Sequence, residues 1–328
     1  MPRRKIPTAH ARTAAEHPDE RARLGLNAPA LAGEAGESRR LALEAADDLR
    51  RLRYERYLAD LGADKDDGTL ESLAAGGAPR ILAEGDSWFD FPFGGDPFER
   101  GDVVARLTKL INIKILNFAT RGDEARQILG VTQRQRLKKA LADPKTNFNV
   151  LLFSGGGNDI VGDPMALWIR PREPGMSTRD AIDLPVFEHA LGVVRAAYQH
   201  LIAIRDRAER DTPGRQIHLV FHQYDFAIPN GKGVCGYGPW LRPALEYHGW
   251  HTHPDAHSIV RDLLRRFAGM LDGVAAGAPR VHIVRTQGTL DATDWNDELH
   301  PNRSGFGKIA AIFHAELRRL FPDSVKAP

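Results

Sequence analysis

The feature of this sequence that most constrains its fold is a regular alternation of short apolar runs with longer segments of helical spacing. Five such runs, rich in β-branched and large apolar residues, occupy residues 80–84, 111–118, 147–154, 217–222 and 281–285. Strands that alternate with helices along a chain form a parallel sheet covered by helices on both faces. The sequence therefore predicts an α/β fold, a three-layer α/β/α sandwich around a central parallel sheet.

Three stripes of apolar residues at helical spacing lie between or after these runs. They comprise Phe187, Leu191, Val194, Tyr198 and Leu201; Ile259, Leu263, Phe267 and Met270; and Ile309, Phe313, Leu317 and Leu320. Apolar residues three and four positions apart line one face of a helix that packs on a core. We interpret all three stripes as core contacts and assign them no chemistry.

The amino-terminal part of the chain differs in composition from the rest. Residues 1–36 show no sustained periodicity and are predicted to be a flexible leader. Residues 37–62 carry apolar residues near helical spacing in a charged background. This pattern predicts an amphipathic helix that packs on the main domain or on a second copy in a homo-oligomer. A Gly-rich linker follows, so we predict an extension over residues 1–78 and a main domain over residues 79–328.

Composition and charge argue against several classes of function. Lys and Arg number 45 against 43 for Asp and Glu, which gives no basic stripe for a nucleic-acid partner. No run is long and apolar enough for a membrane span, and the first residues lack the apolar segment of a secretory signal. A single cysteine, Cys235, cannot form an intramolecular disulfide. We therefore expect a cytoplasmic protein with neither a nucleic-acid partner nor a membrane span.

Polar residues follow the first three apolar runs, where the chain leaves the predicted sheet. Ser87 lies in a Gly-Asp-Ser-Trp sequence after the first run, Gly122 follows the second, and Asn158 follows the third after three glycines. The carboxyl ends of parallel strands share one edge of the sheet, where ligands bind in such folds. Ser87 is a candidate nucleophile, and Asn158 and the Gly122 N–H are candidate donors to an oxyanion.

Each of these residues also has a structural alternative. Asp86 and Ser87 are typical helix caps, and Gly122 is typical of a turn. The glycines at 155–157 are compatible with a phosphate cradle. Neither the Gly-Lys-Ser/Thr of a P-loop nor a GxGxxG pattern accompanies them, however.

The strongest candidate for a base is His300, because Asp297 lies three residues before it in the same short segment. An aspartate at that spacing holds the Nδ1–H of the imidazole. It leaves Nε2 to take the proton of the Ser87 hydroxyl, which requires a distance of roughly 3 Å. The alternative is a surface loop with an incidental histidine. Asn302 or Ser304 is the candidate cap of the last helix.

The ordered set Gly-Asp-Ser, a glycine after the second strand, Gly-Gly-Asn-Asp and Asp-x-x-His-Pro-Asn resembles the SGNH superfamily of GDSL-type esterases and lipases. The resemblance covers most of the chain and implies a flavodoxin-like sheet. It further implies that Ser87 is the nucleophile of a triad completed by His300 and Asp297. The implied oxyanion hole consists of the N–H groups of Ser87 and Gly122 and the side chain of Asn158. No cofactor or metal is implied.

Two features depart from the pattern of that family. Trp88 follows the serine where the family has Leu or Ile, and residues 224–255 form a long insert rich in aromatic residues and histidine. We predict that the insert caps the site and that Trp88, Trp240 and Trp250 contact the substrate. The alternative is an ordinary surface excursion. The histidines of the insert match no zinc signature, so we expect no metal site.

The sequence thus predicts a serine hydrolase that cleaves small-molecule carboxylic esters through an acyl-enzyme intermediate. Acyl transfer to an alcohol or sugar, and thioester hydrolysis, need the same triad and are not separated from ester hydrolysis by the sequence. A different class of function is a non-catalytic binding module that keeps the fold and recruits a partner through the helix at 37–62.

Overall fold

The computed structural model describes residues 34–66, 77–92 and 101–327. Most of the predicted leader and of the predicted linker lies outside these residues. The chain divides into two compact units, the first ending at Ala63 and the second beginning at Asp64. The first unit consists, in its described part, of helix α1, Glu34–Asp66, which continues into the first residues of the second unit. This helix confirms the predicted N-terminal helical extension and is longer than predicted at both ends.

The second unit is built on one sheet of five parallel strands. They are β1 Ile81–Gly85, β2 Ile115–Asn117, β3 Val150–Ser154, β4 His218–His222 and β5 Val281–Val284, in the order β2-β1-β3-β4-β5. Every neighbouring pair is parallel. All five predicted runs therefore contain strands. The order is that of flavodoxin-like sheets, in which the direction of winding reverses between β1 and β3.

The second strand is shorter than the apolar run that predicts it. Helix α2, Val103–Ile111, includes the first residue of that run. Asn112 follows it as the C-cap, with a left-handed φ of 51°. A left-handed residue ends both helical and strand hydrogen bonding, and asparagine adopts this conformation more readily than most residues. The strand therefore begins only at Ile115.

Helices cover both faces of the sheet. Among the described residues of the second unit, the α-helices that follow α2 are α3 Ala125–Ile128, α4 Val131–Ala142, α5 Gly157–Ile160, α6 Leu184–Asp211, α7 Arg242–Tyr247, α8 His253–Ala276 and α9 Arg303–Leu320. Helices α2 and α9 pack against each other on one face, whereas α6 packs against α3, α4 and α8 on the other. This arrangement confirms the three-layer α/β/α sandwich. The three predicted apolar stripes lie on α6, α8 and α9.

Polar residues at the helix starts fix where the long helices begin. The side chain of Asp102 accepts a hydrogen bond from the Ala105 N–H at the start of α2. Asn302 accepts one from the Gly305 N–H at the start of α9, as one of the two predicted caps. Such caps satisfy N–H groups that have no partner within the helix. In the part of the chain that the structure describes, no helix has the length and apolar character needed to cross a membrane.

Candidate active site

The candidate site lies at the carboxyl edge of the sheet, where β1 and β3 run side by side. Gly85 at the end of β1 pairs with Ser154 at the end of β3. Ser87 follows the first of these strands by two residues and Asn158 follows the second by four. In open parallel sheets this reversal point leaves a crevice between the two loops. The topology thus brings the two polar residues to one crevice.

Two glycines allow these loops to leave the sheet so tightly. A Cβ at Gly85 would collide with the backbone carbonyl of Ser154 on the adjacent strand. Gly156 has a φ of 92°, and a Cβ there would lie 2.6 Å from Val194 and 2.9 Å from Phe267. Only glycine accommodates both the close approach and the positive φ. These contacts explain why glycine precedes each of the two polar residues.

Ser87, His300 and Asp297 form a continuous hydrogen-bonded chain. The Ser87 Oγ lies 2.8 Å from the His300 Nε2, within the distance needed for proton transfer. The His300 Nδ1 lies 2.9 Å from one oxygen of the Asp297 carboxylate and 3.0 Å from the other. All three residues are buried. The structure therefore brings together the three residues that the sequence motifs select.

The Asp297 carboxylate is held in its charged form. Its Oδ1 accepts the backbone N–H groups of Leu299 and His300, each at 2.9 Å, and its Oδ2 accepts the Asn296 side-chain amide at 3.2 Å. Burial pushes the pKa of Asp297 upward, but the hydrogen bond and charge of His300 and the two N–H donors outweigh it. The pKa of Asp297 consequently lies below its ordinary value. A charged acceptor at Nδ1 fixes the imidazole tautomer that leaves Nε2 free to accept the serine proton.

Two aromatic rings fix the plane of the His300 imidazole. Phe91 stacks on it with ring centroids 4.4 Å apart and planes 18° from parallel. Trp240 meets it edge-on at 5.4 Å. Trp240 belongs to the predicted insert, so the insert contacts the candidate site. Phe91 is a residue that the sequence reasoning missed, although it lies in the aromatic turn that follows the serine.

Asn158 is held against the loop that follows β2. Its Nδ2 donates to the backbone carbonyl of Asp123 at 2.9 Å, and the adjacent Asp159 accepts the Ala125 N–H at 2.7 Å. Gly122, with a φ of 78°, forms the turn directly before Asp123. An amide nitrogen carries two hydrogens, and among the described residues only the Asp123 carbonyl accepts one of them. Asn158 and Ser87 line the same pocket.

Trp88 joins the serine turn to the histidine loop. Its Nε1–H donates to the Leu299 carbonyl at 3.1 Å, one residue before the histidine. Its ring is packed edge-on among Tyr224, Trp295 and Phe306, with ring centroids 5.1 to 6.3 Å away. Packing of this kind limits the motion of both loops. Trp88, the residue that departs from the family pattern, therefore links the turn that carries Ser87 to the loop that carries His300.

A second buried carboxylate lies directly before the serine. Asp86 accepts the Trp88 N–H at 3.0 Å and the Ser154 hydroxyl at 2.7 Å on Oδ1, and the Tyr224 hydroxyl on Oδ2. The described residues that follow, 88–92, form turns and irregular backbone rather than a helix, so neither Asp86 nor Ser87 is the helix cap of the alternative interpretation. Burial raises the pKa of Asp86, against the opposing effect of the hydrogen bonds that it accepts. This network escaped the sequence reasoning because its members are far apart in the chain.

Glu298 connects the insert to the histidine loop. Its Oε1 accepts the N–H groups of Gly231 at 2.9 Å and Arg242 at 3.1 Å. Its Oε2 accepts those of Trp240 and Leu241, each at 2.6 Å. Glu298 is fully buried. One carboxylate between Asp297 and His300 thus holds four backbone donors of the insert, a role that no sequence motif indicates.

A pocket of roughly 530 Å³, including its open mouth, extends from Ser87 and Asn158. Most of its lining is apolar. The apolar lining residues are Trp88, Ile160, Val161, Ala227, Leu241, Val260, Leu263, Leu264 and Leu299. Leu263 belongs to the stripe interpreted only as core, so part of α8 also forms the pocket wall. Clefts with largely apolar walls and a few polar groups are the kind of site that binds small molecules in many proteins.

The remaining predicted substrate contact lies elsewhere. Trp250 is buried, and its Nε1–H donates to the Arg170 carbonyl at 2.9 Å. The guanidinium of Arg172 lies 5.4 Å from the centre of its ring. Trp250 is not among the residues that line the pocket, and its contact with a substrate stays a prediction. Among the described residues, no group of three or more His, Cys, Asp or Glu side chains is arranged to hold a metal ion.

Comparison with known proteins gives structural neighbours only. No protein family model matches the chain, and no curated protein matches it. A protein from Slackia heliotrinireducens described as an SGNH hydrolase is 15% identical, with a TM-score of 0.42 over 72% of this chain and 97% of its own. A variant of an acetyl-xylooligosaccharide esterase from Geobacillus is also 15% identical, with a TM-score of 0.40 over 72% and 93%. A GDSL-like lipase from Bacteroides thetaiotaomicron is 10% identical, with a TM-score of 0.39 over 73% and 88%.

Proposed function

We propose that this protein is an SGNH-type serine hydrolase that cleaves carboxylic esters through an acyl-enzyme intermediate. The observation that carries the proposal is the Ser87–His300–Asp297 chain, with distances of 2.8 and 2.9 Å, at the mouth of a largely apolar pocket. A serine hydroxyl is a weak nucleophile until a base accepts its proton. The buried triad supplies that base and the carboxylate that orients it.

Acylation begins when the Ser87 Oγ attacks the carbonyl carbon of the ester while its proton passes to the His300 Nε2. The imidazole becomes positively charged, and Asp297 stabilises this charge across Nδ1. The tetrahedral intermediate then expels the alcohol, which takes the proton back from Nε2. The acyl group remains on the Ser87 oxygen as an ester.

The carbonyl oxygen becomes negative in the tetrahedral intermediate and needs hydrogen-bond donors. In the proposed mechanism they are the N–H groups of Ser87 and Gly122 and the side-chain amide of Asn158. A neutral amide held by the Asp123 carbonyl cannot lose its proton, and it requires little reorganisation when the charge develops. One such donor typically contributes about 3 to 4 kcal/mol to transition-state stabilisation.

Deacylation repeats these steps with water in place of the alcohol. His300 takes a proton from the water, whose oxygen attacks the acyl carbon, and the Ser87 oxygen leaves with that proton. An alcohol or sugar acceptor in place of water would make the enzyme an acyltransferase. Product analysis in the presence of added alcohols separates these two outcomes.

Labelling with a fluorophosphonate probe tests the proposal directly, since the probe reacts only with an activated serine. The wild-type protein is expected to be labelled, and Ser87→Ala to lose both labelling and hydrolysis of a small activated ester. His300→Ala should lose a comparable factor, on the order of 10⁴-fold or more. The double variant should be little worse than either, because triad members act as a unit.

Ser258→Ala is the matched control, because Ser258 is an exposed serine outside the site. It should retain labelling and turnover. Near-wild-type turnover by a folded Ser87→Ala variant would remove this serine from the mechanism. An unlabelled, inactive wild-type protein with a native thermal transition would favour the non-catalytic binding module instead.

Other parts of the prediction accompany this proposal. We keep the expectation of a small-molecule ester as substrate, of cytoplasmic localisation, and of the absence of nucleic-acid partners. Self-association through residues 37–62 also stays a prediction, for which sedimentation of the full chain against a chain lacking that helix is the test.

A further inference from the structure

The pocket beside Ser87 is lined by few polar side chains, and these make hydrogen bonds within the protein. Asp86 and Tyr224 line it, but they hydrogen-bond to each other. Asp225 also lines it, and its carboxylate accepts the N–H groups of Gly288 and Leu290, each at 2.6 Å. Asp86, Tyr224 and Asp225 are therefore engaged within the protein. The rest of the wall consists of aliphatic side chains and one tryptophan.

One wall of this pocket is formed by helix α8. Val260, Leu263 and Leu264 project into it, and they are 1%, 2% and 5% exposed. Ile160 of α5 and Leu241 of the insert, both almost completely buried, contribute further aliphatic surface. A cavity with such walls favours an apolar ligand, because each methylene that leaves water there gains free energy.

The position of His300 determines whether the acyl part or the alcohol part of an ester enters the pocket. The leaving alcohol must receive its proton from the His300 Nε2, so it has to lie on the side of the imidazole. Phe91 and Trp240 border that side. Ser87 and Asn158 line the pocket, whereas His300 does not. The acyl chain, which extends from the carbon that Ser87 attacks, is thus the part directed into the pocket.

We infer that the enzyme is selective for aliphatic acyl groups longer than acetyl, and that the pocket walled by Val260, Leu263 and Leu264 binds the acyl chain. This inference rests on the proposed function and names its substrate class. Acyl groups with a charged end are excluded from the class. Burial of a charge without a partner is costly, and the residues that line the pocket include two carboxylates and no basic side chain.

The test uses a series of p-nitrophenyl esters from acetate through butyrate and hexanoate to octanoate. The value of kcat/KM is expected to rise about fourfold per added methylene until the pocket is filled. A hemisuccinate ester matches butyrate in chain length but ends in a carboxylate. Its kcat/KM should be at least about a hundredfold lower than that of butyrate.

Two substitutions of Leu263 test the wall itself. Leu263→Phe reduces the space and should move the optimum to shorter chains, and Leu263→Ala enlarges it and should move the optimum to longer ones. Leu271→Ala is the matched control, since Leu271 is a fully buried leucine of the same helix that does not line the pocket. It should lose stability as Leu263→Ala does, yet keep the wild-type order of ester preference.

Fluorophosphonate labelling separates this inference from the proposed function. A labelled enzyme whose kcat/KM is flat or falls from acetate onward would overturn the acyl pocket while leaving the serine mechanism intact. The same conclusion would follow if the two Leu263 variants kept the wild-type chain-length profile. Absence of labelling in the folded wild-type protein would overturn the serine mechanism and the acyl pocket together.

Discussion

Replacement of Glu298 by glutamine should release the insert from the histidine loop. The carboxylate accepts four backbone N–H groups, those of Gly231 and Arg242 on one oxygen and those of Trp240 and Leu241 on the other. Glutamine retains only one acceptor oxygen, and its NH₂ group would face two N–H donors. Whichever way the amide is oriented, two of the four hydrogen bonds are lost.

The expected size of the effect follows from that count. A hydrogen bond to a charged group contributes about 1.5 to 3 kcal/mol, so two of them stabilise the attached insert by roughly 3 to 6 kcal/mol. The total free energy of unfolding of a domain is only about 5 to 15 kcal/mol. Local release of the segment from Gly231 to Arg242 therefore costs less than global unfolding and should dominate in Glu298→Gln.

Hydrogen exchange measures this release directly. The amides of Gly231, Trp240 and Leu241 should exchange about 10² to 10⁴-fold faster in Glu298→Gln, because each 1.4 kcal/mol corresponds to a factor of ten. Ester hydrolysis, if it follows the proposed mechanism, should also fall, since Trp240 contacts the His300 imidazole and Leu241 lines the pocket. The loss should be larger for long-chain esters than for acetate.

Glu246→Gln provides the control within the same segment. Glu246 pairs with Arg242 on the surface at 2.6 Å, where the pair contributes about 0 to 1 kcal/mol. This variant should leave both the exchange rates and the ester preference nearly unchanged. Equal protection of the insert amides in Glu298→Gln and the wild-type protein would refute the role assigned to the buried carboxylate.

Two further predictions concern the short helix α5 after β3. Asn158→Ala should lower kcat by on the order of a hundredfold or more with little change in KM, because the amide is proposed to meet charge that develops only in the transition state; a higher KM at constant kcat would assign it to ground-state binding. Burial raises the pKa of Asp159 from 3.8 to about 6, so the native state binds this proton more tightly than the unfolded state does. The stability that the bound proton contributes is therefore present below about pH 4 and is lost as the pH rises through about 6. Chemical denaturation across pH 4 to 7 should therefore show that the free energy of unfolding falls with pH more in the wild-type protein than in Asp159→Asn. The same pH dependence in both proteins would contradict the raised pKa.

The sequence allows the strands and the motif residues to be predicted for physical reasons. A buried parallel strand must be apolar over most of its length, and residues at its carboxyl end reach a common edge whatever the connecting helices are. Ser87 and Asn158 follow β1 and β3, which pair directly. Asp297 and His300 are close in the chain, so their contact needs little tertiary information. The structure brings these four residues to one crevice.

Other parts of the site depend on contacts that no local pattern encodes. Leu263 has the helical spacing of a core residue, and periodicity cannot distinguish a side chain that meets another side chain from one that borders a cavity. Glu298 acts through donors 56 to 67 residues away in the chain. Asp86 likewise meets Tyr224 across 138 positions. The hydrogen bonds of Asp86 with Tyr224 and of Glu298 with the insert are therefore visible only in the folded structure.

The two buried aspartates of the site differ because their partners differ. Asp297 faces the His300 imidazole and two backbone N–H donors, and its pKa lies below the ordinary value despite burial. Asp86 is held by two hydroxyls and one backbone N–H, all neutral donors, and burial keeps its pKa raised. Environments that shift the pKa values of two carboxyl groups in opposite directions indicate that the two groups have separate roles.

The hydrogen bonds around Asp86 also prevent His222 from acting as a second base for Ser87. The Tyr224 N–H donates to the His222 Nδ1 at 3.3 Å, so the His222 Nε2 carries the proton and donates it to the Ser154 hydroxyl at 2.8 Å. Ser154 in turn donates to Asp86. Burial lowers the pKa of His222 to about 3, which keeps this imidazole uncharged at neutral pH with both of its nitrogens engaged. Of these two imidazoles, only His300 therefore presents a free lone pair to the Ser87 hydroxyl, across the 2.8 Å between its Nε2 and the serine Oγ.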